Sequence, residues 1–202
     1  MQKENMPVSI IVRTKDRPVL LKRAIKSIAA QTYRPIEVVL VNDGGCDLDI
    51  GELRLILGDI ALNYVRLGEN TGRAHAGNVG IENAHGDYIG FLDDDDEFYP
   101  EHVKELIPFL KQVDCKVAYT DSLSTYKEYD LNEHGIAGTT QELIFSHDFN
   151  YGLLLFENYI PFHCLLFNRE ILANSKGFDP SFNLYEDWDL LIRLRSKWDL
   201  VY

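Results

Sequence analysis

Three short runs in the first half of the chain, Val8 to Val12, Ile36 to Val41 and Tyr88 to Leu92, are apolar at nearly every position. A strand with one wet face alternates polar and apolar residues, whereas a continuous apolar run belongs to a strand covered on both faces. Helical patterns separate the runs. Leu20, Leu21, Ala24, Ile25 and Ile28 recur at helical spacing after Pro18, with Asp16 as the candidate cap. A short helix is predicted over Gly51–Leu57, a strand over Leu62–Leu67, and a helix rich in small residues over Arg73–Ala84. Pro100–Val113 has helical periodicity, and Pro108 within it predicts a kink or an early stop. This βαβαβ order implies a parallel sheet with right-handed crossovers and helices on both faces.

Ligands of such sheets bind at the carboxyl ends of the strands. Three polar clusters fall there: Arg13-Thr14-Lys15-Asp16, Asn42-Asp43-Gly44 and Asp93 to Asp96. The second half reads as less regular. Strands are expected over Lys116–Tyr126 and His163–Asn168, with a polar loop or hairpin over Tyr126–Gly138 and a short helix over Arg169–Ala173. Glu186–Lys197 reads as an amphipathic helix with Trp188, Leu191, Ile192 and Leu194 as candidate buried positions. Leu200-Val201-Tyr202 reads as the middle of a strand, so a C-terminal continuation is expected. The 202 residues are read as a single domain, with 1–115 a ligand-binding half and 116–202 a second half.

Charge narrows the partners. Lys plus Arg is 20 against 32 for Asp plus Glu, a formal charge of -12. That balance argues against a nucleic-acid binder, which needs a basic face, yet it permits a small anion in one locally positive site. No apolar run is long enough to span a bilayer as a helix, and the first residues lack the parts of a secretory signal. Cys46, Cys115 and Cys164 form neither a disulfide framework nor a zinc pattern, so a reducing, cytoplasmic compartment is expected.

The run Asp93-Asp94-Asp95-Asp96-Glu97 directly after a buried strand is the most informative segment. Two carboxylates about 4 Å apart repel by roughly 4 kcal/mol at an effective dielectric near 20. Such a run needs protons, wide splaying into water, or a hard divalent cation, and Mg²⁺ or Mn²⁺ typically takes one or two carboxylates plus substrate phosphates. The plainer role is a turn whose acids cap the next helix. Asp43 serves equally as a turn former beside two glycines and as an acceptor for a base or ribose. Arg73, at a helix start, reads as a surface arginine or as a phosphate partner. Glu186-Asp187 complements a helix dipole or supplies a general base, and spacing alone favours the first. His75, His85 and His163 read as structural, with His163, beside Pro161, also a candidate to line a pocket. No serine elbow, Walker-type loop or dinucleotide fingerprint is present.

Together these segments resemble the family 2 glycosyltransferases of the GT-A fold. The resemblance runs from about Val8 to Trp198. It rests on the ordered series Val8 to Val12, Gln31-Thr32-Tyr33, Glu37 to Gly44, Asn70-Thr71-Gly72, Gly86 to Asp96, and Glu186-Asp187-Trp188-Asp189-Leu190. It implies a Rossmann-like, mostly parallel sheet with helices on both faces and an irregular acceptor-side second half. It implies an inverting enzyme that moves a sugar from a nucleotide-diphosphate sugar to a hydroxyl of a saccharide, lipid-linked or protein acceptor, in polysaccharide or glycoconjugate synthesis. Peripheral contact with the inner face of a membrane is compatible with it. The implied metal ligands are Asp93 and Asp95, holding Mn²⁺ or Mg²⁺. The implied donor-binding set is Arg13, Thr14, Asp16, Asp43, Gly44, Arg73, Asp93 and Asp94. Asp187 maps to the base, with Glu186 its neighbour, and Tyr126 to Phe149 is the candidate for a mobile acceptor-side lid. Two departures stand out. Arg13-Thr14-Lys15-Asp16 replaces the Pro-x-Tyr-Asn that many relatives carry, and Asn42-Asp43-Gly44-Gly45 replaces Asp-Asp-Gly-Ser. The alternative reading is a non-catalytic nucleotide-sugar or cation-binding module. A nucleotidyltransferase fits poorly, because no glycine lies between Arg13 and Pro18.

Overall fold

The computed structural model describes residues 7–113, 116–130 and 135–202. Residues 1–6, Cys115 and positions 131–134 of the expected lid lie outside the described residues. The chain runs β1 (Val8–Thr14), α1 (Pro18–Ala29), β2 (Ile36–Asn42), α2 (Ile50–Leu57), β3 (Ala61–Arg66), α3 (Arg73–Glu82), β4 (Tyr88–Asp93) and α4 (His102–Val113). It continues through β5 (Val117–Tyr119), β6 (Ser122–Asp130), β7 (Gly135–Phe145), α5 (Tyr151–Leu154), a 3-10 turn (Phe162–Cys164), β8 (Leu165–Asn168), α6 (Arg169–Ser175), α7 (Glu186–Arg195) and β9 (Leu200–Val201).

Seven strands form one sheet in the order β3-β2-β1-β4-β8-β5-β9. β1 pairs in parallel with β2 and β4, and β8 joins antiparallel to β4 and β5. Strands from both halves of the chain therefore share this sheet. Side chains alternate between its faces, as the period of two requires. Ile10, Val12, Val38, Leu40 and Leu92 meet α1, α2 and α4 in one core. Ile11, Val39, Val41, Ile89, Phe91 and Phe167 meet α3, α6 and α7 in the other. Both faces of these strands are buried, which is why the three read as continuous apolar runs.

α3 is poor in large side chains because it lies close to the sheet. A Cβ on Gly80 would come within 2.4 Å of the Ile11 side chain, and one on Gly77 within 2.6 Å of the Phe178 ring. Asn78 fixes the same contact, donating to the Phe178 carbonyl at 2.9 Å and accepting from its N–H at 2.8 Å.

Three expectations change. Asp16 does not cap α1: Arg17 holds the cap position, and the Asp16 carboxylate accepts from the Cys46 N–H across the loop after β2. α4 continues through Pro108 to Val113. The strand expected over Lys116–Tyr126 breaks at Thr120–Asp121, so β5 joins the main sheet while β6 leaves it. Of the loop or hairpin expected over Tyr126–Gly138, the structure takes the hairpin form, as an antiparallel ribbon of β6 and β7 that continues to Phe145.

Candidate active site

β1, β2 and β4 end side by side, with Arg13 opposite Val41 and Asp93. Their exits surround a cleft of about 320 Å³ lined by Arg13, Thr14, Arg17, Asp43, Arg73 and the carboxylates of Asp93 to Asp95, among others. Lys15 adds a further cation to the wall.

The most deeply set part is a lattice of four charges. Arg13 is 7% exposed. Its Nη2 donates to Asp93 Oδ1 at 2.7 Å, and its Nη1 donates to Glu186 Oε1 at 3.3 Å and to the Arg73 carbonyl at 3.2 Å. The Arg73 side chain closes the lattice, with Nη2 on Asp93 Oδ2 at 3.1 Å and Nε on Glu186 Oε1 at 3.2 Å. Glu186 is 1% exposed, a burial that a carboxylate tolerates only with such pairing. Burial alone would raise the pKa of Asp93, but the charges of Arg13 and Arg73 overcome it and hold the group below the usual carboxylate range.

Asp94 and Asp95 have different surroundings. Asp94 is buried and accepts from Thr14 Oγ1 at 2.7 Å and from Arg17 Nη1 at 3.2 Å. Burial raises its pKa against the pull of those two partners. The Asp95 side chain is 52% exposed, and its Oδ2 accepts from Arg17 Nη1 at 2.9 Å.

Asp43 is spent on the loop before α3. Its Oδ1 accepts from the N–H and Oγ1 of Thr71, and its Oδ2 accepts from the N–H of Gly72 at 2.9 Å. A carboxylate has about four lone-pair sites, so one remains for a ligand. Gly44 follows at φ +69, where a Cβ would fall 2.3 Å from the Glu69 carbonyl carbon. Only glycine fits that approach of two backbones.

A second cleft of about 600 Å³ shares Asp95 with the first and extends past Asp96, Tyr99, His102, Asp121 and His163 toward β6. His163 bridges its two sides, with Nδ1 on Asp96 Oδ2 at 3.0 Å and Nε2 beside Ser122 Oγ at 2.9 Å.

The structure thus gathers Arg13, Thr14, Asp43, Arg73, Asp93, Asp94 and Asp95 around one cleft. Asp16 and Gly44 support its loops and are not among the lining residues, and Asp187 lines neither cleft. Asp187 nonetheless contributes to the field on Arg13, and its Oδ1 accepts from the Trp188 N–H at 2.7 Å. Glu186 sits in the lattice, away from any free surface. Sequence reasoning missed Arg17 and the His163–Asp96 pair. Neither has a local signal, because each partner comes from a distant part of the chain.

The sequence profile of Glycosyl transferase family 2 matches residues 9–175. The chain is 27% identical over 190 residues to the uncharacterized glycosyltransferase YwdF of Bacillus subtilis, covering 93% of this chain and 68% of that one. Among solved structures it superposes on S. aureus TarS 1-349 in complex with UDP, with a TM-score of 0.74 and 20% identity over 97% of this chain and 57% of that one. It also superposes on the mannosyltransferase PcManGT of Pyrobaculum calidifontis in complex with GDP-Man and Mn²⁺. There the TM-score is 0.71 and the identity 17%, over 98% of this chain and 55% of that one. The chain therefore spans little more than half the length of either solved relative, and the likeness establishes a shared GT-A glycosyltransferase fold.

Proposed function

The chain belongs to Glycosyl transferase family 2, and on that premise we propose that it transfers a sugar, with inversion, from a nucleotide-diphosphate sugar to an acceptor hydroxyl. The observation that carries this reading is the first cleft. Four cationic side chains, Arg13, Lys15, Arg17 and Arg73, share it with carboxylates at the carboxyl ends of parallel strands. The four cations balance the four carboxylates of Asp43, Asp93, Asp94 and Asp95, so in a chain of net charge -12 the cleft is a locally neutralised place where a diphosphate carried with a cation can sit. The solved relatives bound to UDP and to GDP-Man with Mn²⁺ support the same class of donor.

Among the described residues no group of three or more metal-ligating side chains forms, so a divalent cation would rest on one or two carboxylates and the donor's phosphates. Asp95 offers a half-exposed carboxylate with one protein hydrogen bond, and Asp93 offers the oxygen now held by the half-exposed Arg73. A Mg²⁺ or Mn²⁺ site needs only one or two carboxylates beside phosphate oxygens. When bound, the cation supplies Lewis-acid stabilisation of the departing diphosphate. Arg73 and Arg17 bind and orient the phosphates. Asp43 uses its remaining acceptor site on the base or ribose. The acceptor approaches the first cleft from the α7 side, where Asp187 follows the Glu186 that pairs with Arg13 and Arg73. Asp187 takes the proton from the acceptor hydroxyl. That oxygen bonds to the anomeric carbon as the bond to the phosphate oxygen breaks, releasing the nucleoside diphosphate. The β6–β7 ribbon flanks the second cleft and serves as a lid that excludes water. We assign the reaction to polysaccharide or glycoconjugate synthesis in a reducing, cytoplasmic setting.

The test is release of nucleoside diphosphate from UDP-GlcNAc and GDP-mannose in the presence of Mn²⁺, with and without saccharide acceptors. Metal-dependent release supports the reading. Binding of UDP or GDP with no release from any donor would instead favour a non-catalytic binding module.

A further inference from the structure

We infer that Arg13 is a positioning residue that holds the metal-side carboxylate Asp93 and the Asp187-bearing start of α7 in one frame, rather than a contact to the donor. The inference rests on the glycosyl-transfer reading for the role of Asp187. The frame itself rests on geometry alone.

Arg13 leaves the interior strand β1, with Asp93 as its register partner on the neighbouring β4. Both of its terminal nitrogens are engaged: Nη2 by Asp93, Nη1 by Glu186 and by the Arg73 carbonyl. Its guanidinium carbon lies 5.6 Å from the centre of the Phe178 ring, a cation–π distance. Phe178 is in turn fixed to α3 by Asn78. One buried side chain therefore touches the end of β4, the first residue of α7, the first residue of α3 and the segment before α7. α7 has no side-chain cap, and Tyr185 at its cap position adopts a left-handed conformation. The Glu186 tie to Arg13 and Arg73 anchors this end together with Trp188, whose Nε1 donates to the Leu154 carbonyl at 2.6 Å, and Asp187 lies between the two. By contrast Arg73, with a side chain 53% exposed, has room to exchange its carboxylates for a phosphate. The two arginines divide the work, the buried one framing and the exposed one binding.

Lysine cannot reproduce the frame, because a single ammonium does not present a planar fork to two carboxylates. The variants are Arg13→Lys, Arg13→Met and Arg13→Met/Glu186→Gln, each checked for folding by circular dichroism and thermal melting. For each, calorimetry gives the affinity for UDP and GDP with Mn²⁺, and single-turnover release of nucleoside diphosphate from UDP-GlcNAc or GDP-mannose gives the rate of the bound donor. For Arg13→Met we expect affinity within about threefold of wild type and a rate at least tenfold lower, with Arg13→Lys recovering part of the rate. Amide exchange should quicken together at residues 93–96 and 186–189, by tenfold or more. Adding Glu186→Gln should cost less than it does in the wild-type background, because the two groups act as one unit.

A tenfold loss of nucleotide affinity with an unchanged rate would make Arg13 a donor contact and overturn the inference. So would an unchanged rate and unchanged exchange. If Arg13→Met does not fold, the same readings on Arg13→Lys decide. A wild-type protein that binds no nucleotide would refute the proposed function, and the exchange measurement would still decide whether Arg13 builds the frame.

Discussion

Thr71 donates both its backbone N–H and its hydroxyl to one oxygen of Asp43, at 2.7 and 2.9 Å. The exit of β2 thereby fixes the loop that launches α3 and sets Arg73 at its first position. Asp43→Asn places an amide group against N–H donors and breaks at least one of these bonds. The expected cost is about 1–3 kcal/mol of folding stability, read from urea unfolding, with weaker binding of UDP or GDP because Arg73 loses its mooring. Unchanged stability would show that the loop holds itself.

The strands, the order of elements and the rim of polar residues were legible because each depends on local pattern. Val8 to Val12 reads as buried on both faces, and it is an interior strand between β2 and β4. The role of Asp43 was not legible, because its partners Thr71 and Gly72 lie 28 and 29 residues away. The same holds for Glu186, whose burial comes from pairing with Arg13, 173 residues distant. Acids opening a helix look alike whether they face water or a guanidinium. Asp16 misled as a cap because its left-handed φ of 58 turns the chain away from α1 toward Cys46.

Packing between α3 and the sheet gives a second expectation. Gly77→Ala drives a methyl group into the Phe178 ring, and Gly80→Ala drives one into Ile11. Overpacking of this kind costs about 1–3 kcal/mol. A lower urea midpoint with an unchanged slope would confirm it. Equal or higher stability would mean that α3 can shift without penalty.

Two half-buried histidines set a pH dependence of stability. Burial works against the charge on His163, but Asp96 and Cys164 overcome it and its pKa is pushed up to about 10. Burial, and then the charge on His163, push His102 down to about 4. A proton held more tightly in the folded chain stabilises it. The His163 contribution is therefore complete below the unfolded value near 6.5 and is lost as pH rises toward 10. The His102 contribution is complete above about 6.5 and is lost as pH falls toward 4. Urea unfolding across pH 5 to 9 should show the alkaline decline reduced in His163→Gln and the acidic decline reduced in His102→Gln. Parallel profiles for wild type and both variants would contradict these assignments.

Asp187 is the residue on which transfer, as distinct from binding, should depend. Asp187→Asn is expected to bind UDP or GDP as the wild type does and to lose turnover by a factor of about 10² or more. Near-normal turnover would remove Asp187 from the base role.

The most direct measurement is a calorimetric titration of UDP and GDP, with and without Mn²⁺, into the wild-type protein and Asp95→Ala. Asp95 is half exposed and, among the described residues, tied to the exposed Arg17, so its loss should change folding stability by less than about 1 kcal/mol. The account requires binding that depends on Mn²⁺ in the wild type and disappears in Asp95→Ala while the fold persists. Equal affinity in the two proteins, or affinity indifferent to the metal, would contradict it.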